Sequence, residues 1–189
     1  MAKVKTNPVV EQLRGKIGDL VFKRYGDEVG VGRKPDLTGR SPTEAQAAVR
    51  EQFRQAALYG KMVMADPATK TIYEEAAKAK GQPVFSLTIA DFFNAPSVDE
   101  VDLSAYAGRV GDTIAIRAHD DFEVTGVDVS VTQADGSAVE AGAATETPAK
   151  SGRWVYPTTV AVPTGTAVRI EVTARDRPGH AGVKKAGAQ

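Results

Sequence analysis

His119-Asp120-Asp121 and the pair Asp176 and His180 are the two places where this chain sets metal-type donors close together. Each group follows a stretch that reads as a β-strand. Adjacent strand ends of one sandwich would bring Asp120, Asp121 and Asp176 to a common point. Calcium takes roughly six to eight oxygen ligands, which carboxylates and loop carbonyls can supply. These three aspartates are therefore the candidate calcium ligands. The competing reading needs no ion, because aspartate caps its own turn by accepting nearby backbone N–H groups. It is the plainer of the two, since no dense ligand loop is present. Zinc is disfavoured: the two histidines lack paired helical spacing and there is no cysteine.

Other chemistry finds little footing. Neither histidine sits in a triad motif, and no nucleophile has a base beside it. Asp99, Glu100 and Asp102 read as solvated charge at a domain edge. Gly15-Lys16-Ile17-Gly18-Asp19 lacks the order of a phosphate-binding loop, and Lys16 precedes a strand instead of opening a helix. Lys23-Arg24 and Arg33-Lys34 flank a hairpin. A basic β-ribbon can enter a DNA groove, but lysines also blunt exposed sheet edges. The small basic excess favours the second reading and makes a nucleic-acid partner an unfavoured expectation. Trp154 and Tyr156 share one face of one strand. That arrangement serves either a sugar-stacking platform or a core, and the core is favoured because tryptophan is mostly buried. No enzyme is expected, and no cofactor beyond calcium.

The elements that would position these groups fall into two halves. The 189 residues suffice for one large or two small domains. At 42% hydrophobic and 25% charged, the composition is that of an ordinary folded protein. Net charge is +0, so no global field draws the chain to nucleic acid or membrane. Bases exceed acids before Ser41, and acids exceed bases after Pro96. Copies could attract head to tail, although two independent solvated surfaces is the plainer account. Zero cysteine excludes disulfides and thiolate sites. Residues 1–8 carry no apolar leader core, and no apolar run nears the roughly 20 residues that span a bilayer. A cytoplasmic or virion- or particle-associated protein is expected, unless a leader was removed upstream.

Residues 1–16 read as a basic arm. Ile17, Leu20, Val21 and Phe22 form one strand of a hairpin, and Val29-Gly30-Val31-Gly32-Arg33 the return, joined by Tyr25-Gly26-Asp27-Glu28. Alternate glycines leave bare backbone on one face. Ser41-Pro42-Thr43-Glu44 predicts a capped helix start. Ala45, Val49, Phe53, Ala56, Gly60 and Val63 then recur at helical spacing. Asp66-Pro67 opens a second helix, marked by Ala68, Ile72, Ala76 and Ala79 and ended by Gly81. The two helices are expected to pair antiparallel. Phe85–Phe93, the most apolar stretch, is either a short helix or a strand docking the two halves. Asn94-Ala95-Pro96-Ser97 reads as the boundary. Beyond it the period becomes two: Val101 to Ala105, Thr113 to Ala118, Val127-Val129-Val131, Ala138 to Ala141, Arg153 to Tyr156 and Val168 to Ala174. Turns such as Ala134-Asp135-Gly136-Ser137 separate the runs, as in a β-sandwich. Residues 181–189 read as a mobile tail.

Asp121-Phe122-Glu123-Val124-Thr125-Gly126-Val127-Asp128-Val129-Ser130-Val131, Ser151-Gly152-Arg153-Trp154-Val155-Tyr156, and Val172-Thr173-Ala174-Arg175-Asp176-Arg177-Pro178-Gly179 together resemble bacterial immunoglobulin-like (Ig-like) modules over about residues 98–180. His180 stands where that pattern usually has asparagine. The resemblance implies a spacer, adhesion or assembly module. More loosely, Gly15-Lys16-Ile17-Gly18-Asp19-Leu20-Val21-Phe22, Arg33-Lys34-Pro35 and Pro42-Thr43-Glu44-Ala45-Gln46 through Arg50 and Phe53 are similar to phage-associated and uncharacterised bacterial proteins. That likeness implies a setting of assembly and no chemistry.

The expected architecture is α+β: a hairpin and helix-pair domain over 1–95, an antiparallel Ig-like sandwich over 96–180, and a tail over 181–189. The expected function is a self-assembling structural protein, phage-like or extracellular-filament-like. An isolated hairpin is marginal in water and seeks a partner. Ile17, Leu20, Val21, Phe22, Val29 and Val31 are the candidate subunit-contact residues, joined by the open sheet edges of the sandwich. The alternative is a binding or adhesion module recognising a glycan or a protein.

Overall fold

The computed structural model describes residues 2–4, 14–25, 28–36, 38–39 and 41–188. They divide into two compact units, Met1–Gln46 and Ala47–Gln189. The first holds a four-stranded antiparallel sheet in the order β1-β4-β3-β2, with β1 Ala2–Val4, β2 Gly15–Ile17, β3 Leu20–Tyr25 and β4 Glu28–Arg33.

The single strand expected from Ile17 to Phe22 is instead two. Ile17 pairs with Leu20, and Gly18, at φ 57°, closes a tight turn that a side chain would strain. The expected arm also contributes a strand, since Ala2–Val4 pairs with Val29–Val31. The return strand is as expected, with Tyr25 opposite Glu28. Gly26 and Asp27 of its turn lie outside the described residues. Directly opposed residues share a sheet face. Ile17, Leu20, Phe22, Val29 and Val31 therefore share one mostly apolar face, with Arg33 opposite Leu20 and Arg24 opposite Val29 towards its two ends; Ile17 is 60% and Leu20 42% exposed while Val29 is buried. Val21 and Lys23 lie on the other face with Gly30 and Gly32. A groove of about 110 Å³ runs there, over the bare backbone that the glycine alternation foretells.

The second unit is built on three helices and two further sheets. Helix α1, Glu44–Ala65, begins with a reciprocal capping box. The Thr43 hydroxyl accepts the Gln46 N–H at 3.3 Å, and the Gln46 side chain accepts the Thr43 N–H at 3.2 Å. The cap thus falls two residues beyond Ser41. The predicted stripe is only half buried: Ala56, Gly60 and Val63 are covered, while Val49 and Phe53 are 60% and 53% exposed. Helix α2, Pro67–Lys80, has the expected termini, with Asp66 accepting the Thr69 N–H and Gly81 left-handed at φ 64°. The apolar stretch is helix α3, Val84–Phe93, which buries Leu87, Thr88 and Asp91 at helical spacing. Gly60 lets α3 approach α1, because a β-carbon there would stand 2.7 Å from Thr88 Oγ1.

The remaining strands are β5 Ser97–Asp102, β6 Thr113–His119, β7 Gly126–Gln133, β8 Ala138–Ala143, β9 Thr145–Glu146, β10 Arg153–Pro157, β11 Val168–Arg175 and β12 Ala181–Ala188. They form two antiparallel sheets, β5-β6-β10-β9 and β12-β11-β7-β8. Alternate residues point inward, and Ile114, Ile116, Val127, Val129, Val131, Ile170 and Val172 fill the interior between the sheets. Trp154 and Tyr156 belong to this core, at 7% and 4% exposure, which leaves no aromatic platform on that strand.

The expectation for the C-terminal segment is corrected. Residues 181–188 are no tail. They pair one for one with β11, from Arg175 opposite Ala181 to Val168 opposite Ala188. The segment has little apolar alternation because an edge strand is held by its backbone ladder. The compact units divide at 46/47, and helices α2 and α3 meet the sandwich within the second of them. No helix among the described residues is long and apolar enough to cross a membrane.

Candidate functional site

Helices α2 and α3 meet the sandwich at the loop between β6 and β7. Three consecutive residues of this loop make the junction. Asp120 folds back on its own turn, its Oδ2 accepting the Glu123 N–H at 3.0 Å. Asp121 is held from the helical side: Asn94 Nδ2 donates to its Oδ2 at 2.8 Å, and Lys80 Nζ donates to its backbone carbonyl at 2.6 Å. Phe122 stacks flat on Tyr73 of α2, with ring centroids 4.2 Å apart and planes 3° from parallel.

Facing this loop is Asp91. It belongs to the buried side of α3 and is 0% exposed. Its Oδ2 accepts a hydrogen bond from the Tyr73 hydroxyl, which itself lies 2.7 Å from the Tyr59 hydroxyl. The chain Tyr59–Tyr73–Asp91 thus links all three helices. Carboxylate oxygens of Asp91, Asp120 and Asp121 lie within 4.8 Å of one another. Burial pushes the Asp91 carboxyl up from 3.8 to about 7, opposed by the Tyr73 hydrogen bond and reinforced by the charges of Asp120, Asp176 and Asp121. Burial also raises Asp120. Desolvation disfavours the charged form of an acid, and like charges add to it.

Of the three sequence-predicted ligands, the fold brings Asp120 and Asp121 together and leaves Asp176 out of the cluster. Asp176 is 5% exposed. Its Oδ1 accepts the N–H groups of Gly179 and His180 at 2.7 and 2.6 Å, and its Oδ2 faces His180 Nδ1 at 3.1 Å. This is the turn-capping role weighed for aspartate from sequence. The His180 ring packs edge-on against Phe92 of α3, and Arg177 pairs with Glu123 at 2.7 Å. His119 pairs with Asp99 across β5 and β6 at 2.8 Å. Two clefts open beside the junction. One of about 530 Å³ is lined by residues including Ile72, Ala76, His119, Asp120 and Lys150. The other, of about 500 Å³, includes Tyr59, Val63, Asp176 and Arg177.

Asp91, Tyr73 and Asn94 escape sequence reasoning. The available signal was a lone acid inside the most apolar stretch of the chain, Phe85–Phe93. A buried charge demands a partner, so that position pointed to a site.

No protein-family model matches the chain, and no curated protein sequence matches it. Among solved structures it is similar to CopC from Methylosinus trichosporium OB3b, at 15% identity and a TM-score of 0.37, over 49% of this chain and 89% of that one. It is also similar to a tetra-tandem repeat in the extending region of a large adhesion protein, at 22% identity and a TM-score of 0.33. That match covers 49% of this chain, which spans 22% of the adhesion-protein chain. Neither likeness bears on function.

Proposed function

We propose that this protein is a non-enzymatic structural subunit that associates with copies of itself through the apolar face of its N-terminal sheet. The observation carrying the reading is the pair Ile17 and Leu20, opposed on one face and exposed at 60% and 42%. A sheet face that is apolar at its centre needs a second layer to cover it, and a matching face on a second copy supplies one, with Arg24 and Arg33 at its margin. The exposed half of the α1 stripe, Val49 and Phe53, offers a second apolar contact. Head-to-tail use of two different surfaces builds a ring or filament, whereas self-complementary use of one builds a dimer. The loose likeness of residues 15–53 to phage-associated proteins agrees with a particle or filament subunit.

The test is the mass of the full chain in solution by light scattering. Wild type is expected to be larger than one chain. The double substitution I17K/L20K places two charges on the apolar face and is expected to return the mass to that of one chain, with circular dichroism unchanged. A wild type that stays monomeric at high concentration overturns the reading, as does a double variant of unchanged mass.

A further inference from the structure

We infer that Asp91, Asp120 and Asp121 hold a divalent cation of the calcium type, which ties α3 to the β6–β7 loop. Asp91 is fully buried, and its Oδ1 accepts no hydrogen bond. Asp120 Oδ1 is likewise buried without a partner. An acceptor taken out of water and left unmatched is expensive, and a charged one more so. Yet three carboxylates converge here. Among the described residues none of the three is ion-paired with a lysine, arginine or histidine side chain. Lys80, the nearby ammonium, donates to the backbone carbonyl of Asp121. The cluster therefore has oxygen donors in excess, and among the described residues no cation is paired with its carboxylates.

The donor set selects the ion. All-oxygen carboxylate ligands suit calcium or magnesium over softer metals. Opposite ligands stand twice the bond length apart, roughly 4.6–5.2 Å around calcium and about 4.0–4.2 Å around magnesium. Donor atoms that all lie within 4.8 Å of one another can reach one ion of calcium's size. Asp120 also lines the larger cleft, which gives the ion an entry path and room for water to complete its shell. The Tyr73 hydroxyl holds Asp91 and the Asn94 amide holds Asp121 by hydrogen bonds that fix how these carboxylates face the ion. Asp176 is not a ligand in this arrangement, so the set differs from the one the strand ends suggest.

Terbium, a luminescent stand-in for calcium, tests this on the full chain. Bound here it would lie beside Asp91 and Tyr73, so excitation of tyrosine should give saturable terbium emission at one equivalent. Added calcium should quench it by competition. Asp91→Asn and Asp121→Asn should each weaken binding at least tenfold. Asp121 is exposed, so its variant keeps the question answerable where the Asp91 change impairs folding. Asp99→Asn, outside the cluster, should bind as wild type does. Absence of saturable emission from wild type, emission that survives both cluster substitutions, or competition by magnesium and not by calcium would each overturn the assignment.

Discussion

Gly182→Ala should destabilise the protein by about 3 kcal/mol, a large effect for adding one methyl group. The cause is a backbone contact. Gly182 of β12 faces the start of β5, and a β-carbon built there would lie 1.9 Å from the Pro96 carbonyl oxygen and 2.8 Å from its carbon. A side-chain tip can swing aside, but a peptide group moves only with its strand. Either β12 leaves β5 or the entry into the sandwich shifts. Gly187 of the same strand is the control. Its β-carbon would meet only the Val168 carbonyl oxygen, at 3.7 Å, so Gly187→Ala should be nearly neutral. Urea unfolding of the two variants decides the matter. Equal midpoints would mean that the close approach at Pro96 carries no stability.

The second large effect is a pH dependence measured in chelator. Asp91 is raised from 3.8 to about 7, so the folded state holds this proton more tightly than the unfolded chain. Its contribution is complete below about pH 4 and is lost as pH rises through about 7. Above that, an ionised buried carboxylate costs up to about 4 kcal/mol. Asp91→Asn keeps an acceptor for Tyr73 and removes the charge. At pH 8 without divalent ions the variant should therefore be more stable than wild type by about 2–4 kcal/mol. At pH 4 the difference should shrink to within about 1 kcal/mol. Calcium should reverse the order at pH 8 by stabilising only wild type, since an ion that binds the folded state alone shifts the unfolding equilibrium. Wild-type stability that is flat from pH 4 to 8 in chelator would show that the Asp91 carboxyl is not desolvated.

How far the sequence reaches is set by which forces leave a local trace. The termini of α2 were readable because Asp66, Pro67 and Gly81 act within one turn of themselves. The inward alternation of β7 and β11 was readable because a half-buried strand repeats every second residue. The start of α1 was displaced, since Ser41 and Thr43 are both good caps and only the reciprocal bond of Gln46 selects between them. Strand β12 left little trace, being made of alanine, glycine and lysine held by main-chain pairing. The acidic cluster was half legible. Asp120 and Asp121 are neighbours in sequence, but Asp91 arrives from a helix that reading alone could not distinguish from a strand. Its place beside them depends on how α3 packs, which no local pattern encodes.

The ladder between β11 and β12 also fixes how the sandwich would bear a pulling force. Gly182, at the start of β12, touches Pro96, just before β5, and Ala188 lies at the far end of β12. At about 3.3 Å per residue, those points stand roughly 20 Å apart along the strand direction. Tension applied between Pro96 and Ala188 therefore slides β12 along β11 instead of peeling it away. Their eight paired positions share the load at once, so rupture is a single cooperative event. In a tethered subunit this geometry resists extension, while a pull at right angles to the strands would open the same bonds one by one at lower force.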